Sequence, residues 1–201
     1  MSAQPQPRLT PGQYLEIERA AEFRSEYYNG RMYAMSLSSA RHAFIIANCV
    51  CELGNALGKA PCWVASSDLR VLVSPQGLYT YPDVLVVCGE PRTADRYEDT
   101  LLNPVLLMEV LSPATEAYDR GFKFTQYRKL DSLQEYALVS QDEPRVAVFR
   151  RQASGDWLLS EYEGLDASCR LDSVGCAVAL AEVYHRVTFH AAPSERPSPG
   201  A

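Results

Sequence analysis

Long apolar runs are missing from this 201-residue sequence: no stretch approaches the roughly 18 apolar residues that a membrane-spanning helix needs. The opening MSAQPQPRLTPGQ lacks the basic segment and apolar core of a secretory signal. Secretion and membrane insertion are therefore not expected, and the expected location is cytoplasmic. Paired metal-binding cysteines are missing too. The six cysteines, Cys49, Cys51, Cys62, Cys88, Cys169 and Cys176, contain no C-x-x-C pair, and most lie in apolar patterns where a reduced thiol packs as a small hydrophobe. These spacings predict neither a disulfide framework nor a zinc site. Positive charge is scarce, with 19 Lys and Arg against 25 Asp and Glu and a net charge of −6. That is the wrong sign for gripping nucleic acid by bulk electrostatics, so any such role must rest on local clusters.

What is present reads as a folded body. Hydrophobic residues make up 47% and charged residues 22%, ordinary for a globular chain, and the length fits one domain. The expected division is a domain over residues 9–190, with tails at 1–8 and 191–201 whose Pro, Ser, Gly and Ala content suits mobility. TPGQYLEIERAAEF carries a Thr cap and Pro at the first helical position, with Tyr14, Ile17 and Ala21 at helical spacing. SEYYNGRMYAMS sets Asn29-Gly30 between two arms, a hairpin signal because both turn positions tolerate positive φ. SSARHAFIIANCVCELGNALGK has serine caps, helical apolar spacing and a stop at Gly58, and reads as the longest helix. CWVASS, LRVLVS, YPDVLVVC and PVLLMEVL read as strands, SPATEAYDRGFKFTQYRKL as a helix opening near Ser112-Pro113, and LQEYALVS, RVAVFRR and DWLLSEY as further strands before a short terminal helix in VALAEVYHRV. The expected fold class is α/β, a mixed sheet flanked by helices.

One charge breaks the pattern. In LLMEVL, Glu109 interrupts an apolar strand whose two faces, Leu107 with Leu111 and Leu106 with Met108 and Val110, are both hydrophobic. Antiparallel pairing with YPDVLVVC, position 88 opposite 104, would set Asp83 opposite Glu109 with Cβ atoms about 5 Å apart. Two carboxylates sharing one buried spot need a cation between them. A divalent ion is one answer, and an all-oxygen donor set favours magnesium or manganese over zinc. Lysine is the other: Asp119, Lys123 and Tyr127 fall at i, i+4 and i+8 on the following helix, with Arg120 beside them. Spacing leaves two readings open, a structural Glu109–Lys123 or Asp83–Arg120 ion pair, and a metal site. The basic cluster Arg120, Lys123, Arg128 and Lys129 is a local patch suited to phosphate. His42, near the start of the long helix, reads as a surface or packed histidine, and Asp68 and Arg70 read as a solvated strand face.

YPDVLVVC, LLMEVLSPATEAYDRGFKFTQYRKL and LQEYALV, in this order, resemble the Uma family ("Uma two" type) of the PD-(D/E)XK nuclease superfamily, over about Glu16 to Tyr162. The resemblance implies a restriction endonuclease-like core and a Mg²⁺- or Mn²⁺-dependent endonuclease acting on DNA, with a homodimer suited to cutting two strands. It implies Asp83 and Glu109 as metal ligands, the Val110 carbonyl as a third, Lys123 as the catalytic lysine and Glu26 as an additional metal or water ligand; Arg120, from the basic cluster, is the expected phosphate contact. The superfamily's usual lysine, two residues after the glutamate, is here Leu111, so Lys123 stands in for it from the next helix. The alternative is the same fold with a weakened site, binding nucleic acid or a partner without cutting it.

Overall fold

A computed structural model describes residues 8–35, 39–74 and 77–189. The tails expected at 1–8 and 191–201 therefore lie outside the described residues, except Arg8. Thr10 caps α1 (Pro11–Ala20) through a capping box with Gln13, so two otherwise orphaned N–H groups are satisfied at once. Tyr14 and Glu18 are its buried residues, and Ile17 is exposed, a correction to the face drawn through Ile17 and Ala21. The hairpin β1 (Ser25–Tyr28) and β2 (Arg31–Ala34) turns at Asn29 and Gly30, both at positive φ. Ser39 caps α2 (Ala40–Leu57), and Gly58 ends it at positive φ.

Strands β3 (Cys62–Ser66), β4 (Arg70–Leu72), β5 (Tyr79–Thr80), β6 (Val84–Cys88), β7 (Thr100–Leu101) and β8 (Leu106–Leu111) follow. Next comes one helical segment, α3 (Glu116–Tyr118), a π-turn (Asp119–Lys123) and α4 (Phe124–Tyr127). Strands β9 (Glu135–Ser140), β10 (Arg145–Arg151), β11 (Trp157–Glu163), β12 (Ser168–Leu171) and β13 (Cys176–Ala179) lead to α5 (Leu180–Val183).

The strands divide into a six-stranded sheet ordered β11-β10-β9-β8-β6-β3, a five-stranded sheet ordered β2-β1-β5-β4-β7 and the hairpin β12-β13. The main sheet is mixed. β8 runs antiparallel to β6 and parallel to β9, because the helical segment after β8 supplies the crossover a parallel neighbour needs. The single expected sheet is thus corrected: β5 pairs with β1 of the N-terminal hairpin, β4 with β5 and β7 with β4, making a sheet separate from the main one. Arg70 is also corrected from a solvated face to a buried position, held by Tyr81 and Thr100.

β8 is buried along its whole length, and its two faces enter different cores. Leu106, Met108 and Val110 pack with Ile45 and Cys49 of α2; Leu107 and Leu111 pack with Tyr127 and Val71 on the other side. Alternation places Glu109 on the Leu107 side, facing the segment that carries Lys123. Cys62 and Cys88 pair across β3 and β6 and form a disulfide, a correction to the expectation of reduced cysteines. The pairing comes from strand register, which a 26-residue separation in sequence does not display.

Candidate functional site

β6 and β8 pair with Val84 opposite Met108, the register that sets Asp83 opposite Glu109, as expected from the sequence. Asp83 lies in the bend before β6, and its Oδ2 accepts the Val110 backbone N–H at 2.7 Å. That bond locks the acid to the end of β8. Glu109 is 3% exposed; its Oε1 accepts from Lys123 Nζ at 3.0 Å and Tyr127 O–H at 2.7 Å. The stripe Asp119, Lys123, Tyr127 is indeed the buried face of its helical segment.

Lys123 is more enclosed than a single ion pair would make it. Its Nζ lies 3.0 Å from Glu109, 3.3 Å from Glu26 and 3.5 Å from Asp119. Burial pushes its pKa down, but Glu109, Tyr127, Glu26 and Asp119 together hold it well above the ordinary lysine value. The surrounding acids thus favour the ammonium form of Lys123. Burial raises the Glu109 carboxyl well above its ordinary value, with Lys123 opposing and Asp83 reinforcing the rise. Burial likewise raises Asp119, against the pull of Lys123. The common cause is burial, reinforced at both groups by the neighbouring charge of Asp83.

Glu26, from β1, has both oxygens occupied: Oε1 by Thr80 and Lys123, Oε2 by Tyr118 O–H at 2.9 Å. Arg120 is brought elsewhere, paired with Glu116 at 2.7 Å, and is absent from the residues lining the cavity. His42, read from the sequence as a surface or packed histidine, is buried, and its Nε2 sits 3.3 Å from Asp83 Oδ2. Burial pushes its pKa down, but the hydrogen bond and charge of Asp83, with the Val110 carbonyl, more than offset this, giving a net upward shift. Its helical position shows only its distance from Ser39, not which strand end α2 crosses.

Glu26, His42, Asp83, Glu109, Asp119 and Lys123 line one cavity of about 870 Å³, together with Tyr28, Tyr33, Tyr118 and Phe122. The residues present suit a hard divalent cation. Among the described residues, Asp83 Oδ1 and Glu109 Oε2 accept no hydrogen bond, and both side chains line the cavity. No group of three or more His, Cys, Asp or Glu side chains among the described residues is arranged to hold a metal alone. A cation there would complete its shell with backbone, water or substrate oxygens, as magnesium does at sites with one or two carboxylates. The Val110 carbonyl is adjacent, with His42 against it.

The mixed sheet flanked by helices gives the chain a restriction endonuclease-like fold, with Asp83 and Glu109 near two neighbouring strand ends and Lys123 returned by the crossover helix. The chain belongs to the Uma2 family, described as "Putative restriction endonuclease", whose model matches residues 11–181. It is 37% identical to an uncharacterized protein of Synechocystis over 92% of this chain and 96% of that one. A second uncharacterized Synechocystis protein is 33% identical over 79% of this chain and 90% of its own length. In fold it is similar to a crystal structure of a "putative nuclease belonging to DUF820" from Anabaena variabilis, with a TM-score of 0.71, 20% identity, and coverage of 88% and 97% of the two chains. Among the described residues no helix is long and apolar enough to cross a membrane.

Proposed function

We propose that this chain is a divalent-metal-dependent endonuclease that hydrolyses DNA phosphodiester bonds. The observation that carries the reading is the β6–β8 register, which sets Asp83 against Glu109 while Lys123 closes on Glu109 from the next helix. Asp83 and Glu109 would hold Mg²⁺ or Mn²⁺, each with an oxygen that protein donors leave free. Such an ion, when bound, polarises a phosphoryl oxygen and lowers the pKa of an attacking water. Lys123, fixed as an ammonium, is unsuited to act as a base; it stabilises negative charge developing at the phosphate. Glu26 and Asp119 position Lys123, Tyr127 orients Glu109, and His42 orients Asp83. Cutting both strands of a duplex would call for a homodimer, which light scattering on the purified chain detects.

Thermal unfolding with increasing Mn²⁺ tests the metal directly. A bound ion at about 100 times its Kd stabilises the fold by roughly 2.7 kcal/mol, and Asp83→Asn should abolish the shift while keeping a hydrogen-bond acceptor for Val110. At least one of single-stranded, duplex and branched DNA should then be cut with Mg²⁺ or Mn²⁺ by the wild type, but not by Asp83→Asn, Glu109→Gln or Lys123→Met. Equal cutting by all four proteins would point to a contaminant and sink the reading. The enclosure of Lys123 by three carboxylates favours one second reading, a site that binds nucleic acid without cutting it. Metal-dependent stabilisation without cleavage of any substrate would select it.

A further inference from the structure

The aromatic groups of the cavity are not needed to hold a metal or a phosphate. Tyr118 stacks on Phe122 with centroids 5.2 Å apart and an interplanar angle of 15°, and Tyr28 meets Phe122 edge-on at 4.8 Å. Tyr33 stands opposite Glu26 across the β1–β2 hairpin, so the two side chains share a face; Tyr33 remains 49% exposed. Tyr81 also lines the cavity, whereas Tyr79 and Tyr97, likewise near Asp83 in sequence, do not. Tyr79 is buried with Tyr14 and Tyr27, Tyr81 is held by Arg70 and Glu18, and Tyr97 stacks on Arg19.

The cavity's charge is equally selective. Lys123 and His42 are the basic side chains in its lining, against four carboxylates. Gripping a duplex takes several Lys or Arg contacts to phosphates, each releasing counterions. The volume, about 870 Å³, falls among pockets that enclose a small organic group, roughly 300–1,000 Å³. Glu109 and Lys123 are 3% and 6% exposed, so a scissile phosphate must enter to reach them. A base in a duplex has both faces stacked and its phosphate held at the duplex surface; freeing it costs a few kcal/mol. An unpaired nucleotide meets neither obstacle, and aromatic stacking supplies attraction that phosphate contacts here do not.

We infer that the substrate of this site is unpaired DNA, a single strand or a strand end, with one base stacked on the aromatic wall formed by Tyr33, Tyr118 and Phe122 while its phosphate reaches Asp83 and Glu109. This rests on the nuclease reading for its chemistry, but the base pocket is tested separately. One site then makes one cut, and no two-fold partner is required.

The test is equilibrium binding of the full chain, in Ca²⁺ to hold back hydrolysis, to a short thymine-rich DNA strand carrying one 2-aminopurine. The same strand as a duplex, and one with abasic positions, serve as comparisons. Stacking should quench the 2-aminopurine, and the single strand should bind at least about tenfold tighter than either comparison. Tyr33→Ala should weaken single-strand binding by about tenfold and remove the quenching, while melting at the wild-type temperature because Tyr33 is exposed. Equal binding of duplex or abasic strand, an unchanged Kd in Tyr33→Ala, or no binding of any strand would overturn the inference. Metal-dependent cutting of duplex without stacking would overturn it and leave the nuclease reading intact. Stacking without any metal-dependent cutting would do the reverse.

Discussion

Lys123 decides the electrostatics of the site at the scale of single residues. It is one ammonium against the carboxylates of Glu26, Glu109 and Asp119, all buried. Removing one partner of such a cluster leaves the others uncompensated in a poorly hydrated region. Lys123→Met is therefore expected to lose about 3–5 kcal/mol of stability in urea unfolding, and Lys123→Met/Glu109→Gln to regain part of that loss. A loss near zero would mean that the carboxylates are hydrated and that Lys123 is not what makes them tolerable. The stripe Asp119, Lys123, Tyr127 was legible in the sequence because i, i+4 spacing is a local property of a helix. The contribution of Glu26 was legible only through the family resemblance, since 83 residues separate Glu26 from Glu109 and only the sheet packing brings both to Lys123. His42 carried no signal, because contact with Asp83 depends on where α2 crosses the strand ends.

Among the elements, the helical segment after β8 differs most from its expected form. It opens at Glu116 rather than at Ser112-Pro113, because Thr115 N–H bonds to Ser112 Oγ in a turn. It then widens into a π-turn over Asp119–Lys123, a distortion common at functional sites. Gly121 lies within that turn, and a Cβ there would meet no atom within 4 Å. Gly121→Ala should thus stabilise the chain by about 0.5–1 kcal/mol. The same exchange at Gly30 has the opposite sign: its φ is +84°, and an added Cβ would meet the Arg8 side chain at 2.6 Å. Gly30→Ala should destabilise by about 1–2 kcal/mol. Chemical denaturation of the two variants checks both, and equal effects would mean that backbone conformation at these turns matters little.

At the scale of the whole molecule, a second charged network ties α1 to the five-stranded sheet. Arg19 reaches Asp99 and Asp95 at 2.7 Å, and Arg70 reaches Asp99 at 2.9 Å. The Arg19 hydrogen bond, with Arg70 nearby, holds the Asp99 carboxyl well below its ordinary value. The unfolded chain then takes up that proton first as pH falls, so the stabilisation is present above the ordinary aspartate range, about pH 4, and lost below it. The melting temperature should fall on acidification from about pH 5, and fall less steeply in Asp99→Asn. Parallel curves for the two proteins would remove Asp99 from the account. The raised carboxyls of Glu109 and Asp119 act in the opposite sense in both proteins, so the difference between the curves isolates Asp99.

The sequence by itself determined what local physics controls: the capped helices, the Asn29-Gly30 turn, the strand character around Glu109 and the face shared by Asp119, Lys123 and Tyr127. The antiparallel sense of the β6–β8 pairing was legible too, because the connecting residues show no helix for a parallel crossover, while the register, posed with 88 opposite 104, was fixed only by the sheet itself. Tertiary structure alone decided the split into two sheets, the Cys62–Cys88 bond, the burial of Arg70, the approach of His42 to Asp83 and the aromatic wall of the cavity. Each of these depends on the distance between segments remote in the chain, which no periodicity along one segment encodes.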